Sequence, residues 1–243
     1  MATYVMSDVH GLKEKYDRMI QELPLRDEDE LYVLGDVIDR GNDGIDILLD
    51  IMERKNVHMV LGNHEYMMIQ YYQAEMEGKF ELYDKLVIEE RWQRNRGDVT
   101  KAKFNRLPRK KQLQVLDYLK SLPLAYESLM VNGQCYYLVH GHPVPLLHKE
   151  IVTMEDLKDT TLKVDYFIWD RVYDKAAFFT DRCVVFGHTP TFYLQDDHPY
   201  KIWTDCDDIK DAKMINIDCG CAANNKACAL AVLCLDDRSV RYF

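Results

Sequence analysis

Aspartate, histidine and asparagine recur in short pieces of this chain: Asp8-Val9-His10-Gly11, Gly35-Asp36, Gly62-Asn63-His64-Glu65, Val139-His140, Gly187-His188-Thr189 and Asp218-Cys219-Gly220. These side chains offer oxygen and nitrogen donors for hard or borderline divalent cations. Asp8 and His10 stand two apart, so on an extended chain they fall on one side. With Asp36 they can close on one ion, and Asn63, His140 and His188 can complete a second. Asp36 is the candidate bridge, because a carboxylate has two oxygens to share. Two ions about 3.5–4 Å apart clamp an in-line displacement and lower the pKa of bound water from 15.7 to about 7. The neutral Asn63 keeps such a centre cationic, which favours a phosphate dianion. The chemistry these residues suit is hydrolysis assisted by two divalent metal ions.

A hydrolase also needs a proton for its leaving group. His64 follows the candidate ligand Asn63 and would lie beside the metals. Asp39 can hold its ring, as carboxylates commonly orient an imidazole. That pair suits a general acid that protonates a leaving oxygen. Arg40 and Arg171, in Asp39-Arg40-Gly41 and Trp169-Asp170-Arg171, offer planar bidentate donors for phosphate oxygens. Asn63 counts both as a ligand and as a substrate-facing residue.

Such residues must be delivered to one place. Five apolar runs precede them: Tyr4-Val5-Met6, Leu31 to Leu34, Met59-Val60-Leu61, Tyr137-Leu138-Val139 and Val184-Val185-Phe186. Runs of this length and type read as buried strands. In sheets with helical crossovers, ligands collect beyond the carboxyl ends of the strands. Helices are expected over 12–22 and from Asp43, a good N-cap residue, so residues 3–65 read as a parallel strand–helix alternation. Residues 66–123 read as a helical insertion, with helices over 65–77, 80–93 and 109–120. Five later strands are expected, around Tyr136–Val139, Cys183–Phe186, Met214–Ile217, Ala229–Leu235 and Ser239–Tyr242. The closely spaced last ones suggest an antiparallel sheet packed on the first. Thr153-Met154-Glu155-Asp156 reads as a capped helix start.

With 243 residues, 47% of them apolar and 30% charged, the chain suits one large domain over 1–243. A net charge of −10 argues against general affinity for nucleic acid. Between Arg91 and Lys111 lie nine Lys or Arg and one acid, Asp98. This reads as a solvated face, with a basic rim for an anionic substrate as the alternative. Neither a secretory leader nor an apolar stretch of membrane-spanning length is visible. The expectation is a soluble, cytoplasmic protein without a membrane partner. Seven cysteines fit reduced thiols, and the five late ones, from Cys206 onward, read as small buried hydrophobes rather than a zinc site.

Taken in order from residue 8 to 220, these motifs resemble the phosphoprotein phosphatase family of calcineurin-like metallophosphoesterases. The Trp169-x-Arg171 element resembles its bacterial and phage-type branch, as, more weakly, do Trp92, Asn95 and Gly97. The resemblance implies an α/β fold of two mixed sheets sandwiched between helices. It implies phosphomonoester hydrolysis by direct attack of a metal-bridging hydroxide, and the same assignments of ligands, acid pair and arginine clamps. Manganese is the implied ion, with iron and zinc as alternatives. His140-Gly141-His142 stands where the family has His-Ala-Gly, and Cys219 replaces a threonine.

The resulting expectation is a serine/threonine protein phosphatase acting on a phosphorylated protein. The alternative is a hydrolase of small phosphorylated substrates such as bis-nucleoside polyphosphates. The family's symmetrical tetraphosphatase commonly has Gln at the position of His10 and Trp at that of Thr189, which favours the phosphatase branch. A non-catalytic scaffold is the third reading, and it would be expected to have lost a ligand or the acid pair.

Overall fold

The computed structural model describes residues 1–23, 25–77, 81–198, 200–223 and 228–243. Its first segment alternates as expected: β1 (Thr3–Met6), α1 (Lys13–Glu22), β2 (Glu30–Val33), α2 (Gly44–Glu53) and β3 (Val57–Met59). The strands pair in parallel, β1 with β2 and β2 with β3. The helical insertion comes next as α3 (Asn63–Glu77), α4 (Leu82–Arg94), α5 (Asp98–Phe104) and α6 (Arg109–Ser121). The start expected for the second of these helices, at residue 80, lies outside the described residues. Helix α5 has no counterpart among the expected helices. Its lysines give the segment a loop-like, solvated pattern, yet Lys101 pairs with Glu89 and Lys103 with Asp43 and Asp46. Part of the basic run is therefore a face of ion pairs made with other helices.

The chain then forms β4 (Ala125–Val131), β5 (Gln134–Val139), β6 (Ile151–Val152), α7 (Val164–Ile168), β7 (Cys183–Phe186), β8 (Trp203–Thr204) and β9 (Met214–Asn216). It closes with β10 (Ala231–Cys234) and β11 (Val240–Tyr242). Two mixed sheets result, in the orders β11-β10-β1-β2-β3 and β6-β4-β5-β7-β9-β8. The late strands do not make a sheet of their own. β9 joins β7 in parallel, while β10 runs antiparallel beside β1. Strand spacing along the chain says nothing about which edge a strand will find.

The side-chain alternation explains the layering. Val5, Tyr32, Leu34, Tyr136, Leu138, Val185, Ile215 and Leu233, drawn from both sheets, share one buried cluster without a helical member. Their neighbours Met6, Val33, Tyr137, Val184 and Met214 belong to a second cluster with Tyr16 and Met19 of α1, Leu48 of α2 and Leu116 and Leu119 of α6. One face of each sheet thus meets the other sheet, and the opposite face meets helices, as the period of two requires. Full burial of each such side chain contributes roughly 1.5–3 kcal/mol.

Two expected capping groups are partnered elsewhere, although Asp43 does mark the start of its helix. Asp43 holds the N-cap position of α2, but its side chain makes no cap bond and pairs with Lys103 instead. Thr153 bonds Asp156 through both its N–H and its hydroxyl, and the segment makes only a single 3-10 turn, Glu155–Leu157. In each case another partner took the capping group. Cys219, Cys221 and Cys228 are buried as expected, whereas Cys206 and Cys234 are half-buried.

Candidate active site

Strands β1, β2, β3, β5 and β7 each run out into one of the chemical pieces. Asp8 lies two residues past β1 and Asp36 three past β2; Asn63 follows β3, His140 directly follows β5 and His188 lies two past β7. Parallel pairing within each sheet brings these ends to one rim. The turns there are tight: Asp8, His10, Asp36, Asp39, Arg40 and His188 all have φ between 45° and 66°. Left-handed backbone is costly for residues with a Cβ and clusters at functional sites. Glu65 helps to hold one of these turns, its carboxylate accepting the N–H groups of Asp36, Val37 and Ile38 at 2.9, 2.9 and 3.2 Å.

Two groups of candidate donors form, His10–Asp36–His64 and Asp36–His140–His188, and Asp36 belongs to both. Its Oδ2 lies 3.6 Å from His10 Nε2, while its Oδ1 lies 3.4 Å from His140 Nε2. Asp8 Oδ1 stands 3.8 Å from His10 Nε2, and Asn63 Oδ1 lies 3.0 Å from His140 Nε2. All six expected ligands are therefore together, and all are buried. The distal nitrogens are fixed by carbonyls, His10 Nδ1 on Ile38 at 3.1 Å and His140 Nδ1 on Leu34 at 2.6 Å. This is the outer arrangement that orients metal-ligating imidazoles.

The electrostatics fit a cation. Burial pushes Asp36 well above the usual carboxylate range, eased by His64 and worsened by Asp8. Asp218 is pushed up in the same way, by burial and then by Asp8. Burial also pushes His10 and His188 well below the usual imidazole range, with further repulsion from Arg40 and from His140 respectively. Neutral imidazoles among crowded buried acids are the donor set a divalent ion neutralises.

His64 and Asp39 form the expected pair: Nδ1 lies 2.7 Å from Asp39 Oδ2. His64 Nε2 is 3.3 Å from Arg40 Nη2 and 3.7 Å from Asp36 Oδ2. The Arg40 guanidinium can only donate, so Nε2 accepts from it and Nδ1 donates to Asp39 Oδ2. Arg40 and Arg171 are exposed. Arg171 Nη1 donates to the His188 carbonyl at 3.2 Å and lies 3.3 Å from the Thr189 hydroxyl, so it overhangs the second group. His142 does not join the site; its Nδ1 lies 2.6 Å from the Pro143 carbonyl and its ring stacks edge-on with Phe178. His58 pairs with Glu30, away from the donor groups.

Sequence reasoning missed Glu65, Trp92 and Thr100 as parts of this site. Trp92 Nε1 donates to Asp39 Oδ2 at 2.9 Å, and Asp39 N donates to Thr100 Oγ1 at 2.9 Å. Their partners lie 53 and 61 residues away, beyond any local pattern. The weak likeness around Trp92, Asn95 and Gly97 was the one available signal.

These features could hold divalent metal, and the chain belongs to the calcineurin-like phosphoesterase family, whose model matches residues 1–215. Among curated relatives it is 32% identical over 85 residues to the symmetrical bis(5'-nucleosyl)-tetraphosphatase of Buchnera aphidicola, covering 34% of this chain and 31% of that protein. A second tetraphosphatase, from Delftia acidovorans, is 26% identical over 147 residues, 60% of this chain and 46% of its own length. The chain thus matches less than half the length of these relatives. A solved serine/threonine phosphatase from Saccharomyces cerevisiae shares the fold with a TM-score of 0.57 at 14% identity, over 100% of this chain and 79% of that one.

Proposed function

We propose that this chain is a phosphomonoester hydrolase of the serine/threonine protein phosphatase type, working as one catalytic domain. The observation that carries this reading is the buried His64–Asp39 pair at 2.7 Å beside Asp36. An alkoxide from serine or threonine is a poor leaving group and needs a proton, whereas a nucleotide or polyphosphate leaving group is far less basic. Asp8, His10, Asp36, Asn63, His140 and His188 would hold two divalent ions, with Asp36 between them and manganese as the expected metal. When bound, the ions supply a water of lowered pKa and positive charge for the phosphoryl oxygens. Arg40 and Arg171 then bind non-bridging oxygens from opposite sides of the rim. With Arg40 turned to the phosphate, Nε2 of His64, held by Asp39, is free to carry the proton given to the departing oxygen. Among the described residues no helix is long and apolar enough to cross a membrane. Seven cysteines without a paired spacing pattern fit the cytoplasmic setting that we infer.

A specific observation favours a second reading. A cavity of about 380 Å³ opens beside Arg40, lined by Lys13, Lys15 and Arg96 but also by Glu14 and Asp43, with Lys13 paired to Asp17 and Lys15 bonded to the Cys228 carbonyl. It could take further phosphates of a bis-nucleoside polyphosphate, the substrate class in the names of the two tetraphosphatase relatives. The test is manganese-supplemented turnover of a phosphoserine/phosphothreonine peptide, a phosphotyrosine peptide and a dinucleoside tetraphosphate. Preference for the first supports the proposal. Preference for the dinucleotide replaces it with the second reading, and silence on all three with metal bound would revive a scaffold.

The raised carboxyl of Asp36 sets a pH dependence. Wherever the group carries a proton in the metal-free protein, that proton must leave when metal enters. Manganese affinity should therefore fall as pH falls through that raised pKa, by about tenfold per pH unit for each proton released. Titration calorimetry in two buffers of different ionisation enthalpy checks it; a pH-independent affinity with no proton release would refute it.

A further inference from the structure

The helical insertion reaches the acid pair through Trp92 and Thr100, which both bond Asp39. Asp39 is fully buried, yet only its Oδ2 is engaged; its Oδ1 has no hydrogen-bond partner among the described residues. Oδ2 accepts from both His64 Nδ1, at 2.7 Å, and Trp92 Nε1, at 2.9 Å. A carboxylate gripped at one oxygen can swing about its χ2 unless something fixes that oxygen. The indole is well placed to do so, because it is itself closely packed. Trp92 is 1% exposed and packs against Tyr71 and Tyr72, with ring centroids 5.2 and 6.0 Å away. On its other side lies Gly97, where even a methyl group would overlap the indole Cδ1 and Nε1. The same segment makes two more bonds to the Asp39-Arg40 turn, from Asp39 N to Thr100 Oγ1 at 2.9 Å and from Arg40 N to the Arg96 carbonyl at 3.3 Å. That turn is left-handed at both residues, with φ 66° and 65°, so it needs outside support.

We propose that Trp92 is a positioning residue for proton transfer. Its indole N–H pins the Asp39 oxygen that aims His64, and α4 and α5 thereby complete the acid pair. The proposal rests on the assignment of His64 and Asp39 as the acid pair. A packing role alone would be served by any large aromatic ring; the positioning role requires the N–H.

Trp92→Phe keeps an aromatic ring and removes the N–H. In the manganese-loaded enzyme, kcat on phenyl phosphate, a poor leaving group, should fall roughly 10–100-fold, as for other supporting groups of this kind. On 4-nitrophenyl phosphate, whose leaving group needs little help, kcat should change by less than about threefold. KM and metal content should stay unchanged. In a His64→Asn background the substitution should cost nothing further, because the group it positions is gone. Gly97→Ala, which displaces the indole without removing it, should give the same leaving-group signature and serves if Trp92→Phe folds poorly. An equal fall on both substrates, or no fall on phenyl phosphate, overturns the proposal. If His64→Asn alone is selective for the poor leaving group and Trp92→Phe is not, only the role of Trp92 fails. If His64→Asn is itself unselective, the acid-pair reading fails and takes this one with it.

Discussion

Asp36→Asn should leave a folded protein that hydrolyses phosphomonoesters roughly 1000-fold more slowly. Asp36 is the one side chain common to both donor groups, its two oxygens turned to His10 and to His140. An amide presents one oxygen acceptor and one N–H₂ donor, so it cannot serve both sides. A thousandfold loss corresponds to about 4 kcal/mol of transition-state stabilisation. Stability should move the other way. Burial, Asp8 and Glu65 all push the Asp36 carboxyl up, so its charge opposes folding when no cation is present. The amide oxygen can still accept the His64 backbone N–H, which lies 3.1 Å from Oδ1 in the parent. Metal-free Asp36→Asn should therefore melt at or above the temperature of the metal-free parent, while added manganese raises its melting point far less. Calorimetry with and without manganese, beside turnover, checks both halves. Near-parental turnover in the variant would remove Asp36 from the centre.

His64→Asn should lose roughly 100–10,000-fold on alkyl phosphates, the range that positioned acids contribute. It should lose far less on 4-nitrophenyl phosphate. His64 also belongs to one of the two donor groups, which raises the question of a ligand role. Its Nδ1 is taken by Asp39 and its Nε2 accepts from the Arg40 guanidinium, so both ring nitrogens already have partners other than an ion. Metal content separates the two roles. A variant that keeps both ions but loses poor leaving groups supports the acid. A variant that binds one ion fewer makes His64 a ligand.

Much of this centre was legible because a buried strand ends where its apolar run ends, and Asp8, Asp36, His140 and His188 sit within three residues of such ends. The chemistry of each residue is local, and so is its place on the rim. Pairing between strands is not local, and neither β10 beside β1 nor β9 beside β7 could be read from spacing. The supports of the centre were hidden for the same reason. Glu65 looks like one more acid in a helix start until the turn it grips, 27–29 residues earlier, is in view. Lys103 looks solvated until Asp43 and Asp46 arrive from α2.

The place of β1 between β2 and β10 also bears on how the chain is made. A ribosome delivers β2 soon after β1, but β10 begins only at Ala231. At about 5–20 residues per second, nascent β1 spends on the order of tens of seconds with one edge bare, and a bare edge recruits stray strands. Every candidate ligand, His188 included, is translated before that edge is covered. Translation thus completes the roster of donors before β1 gains its second neighbour.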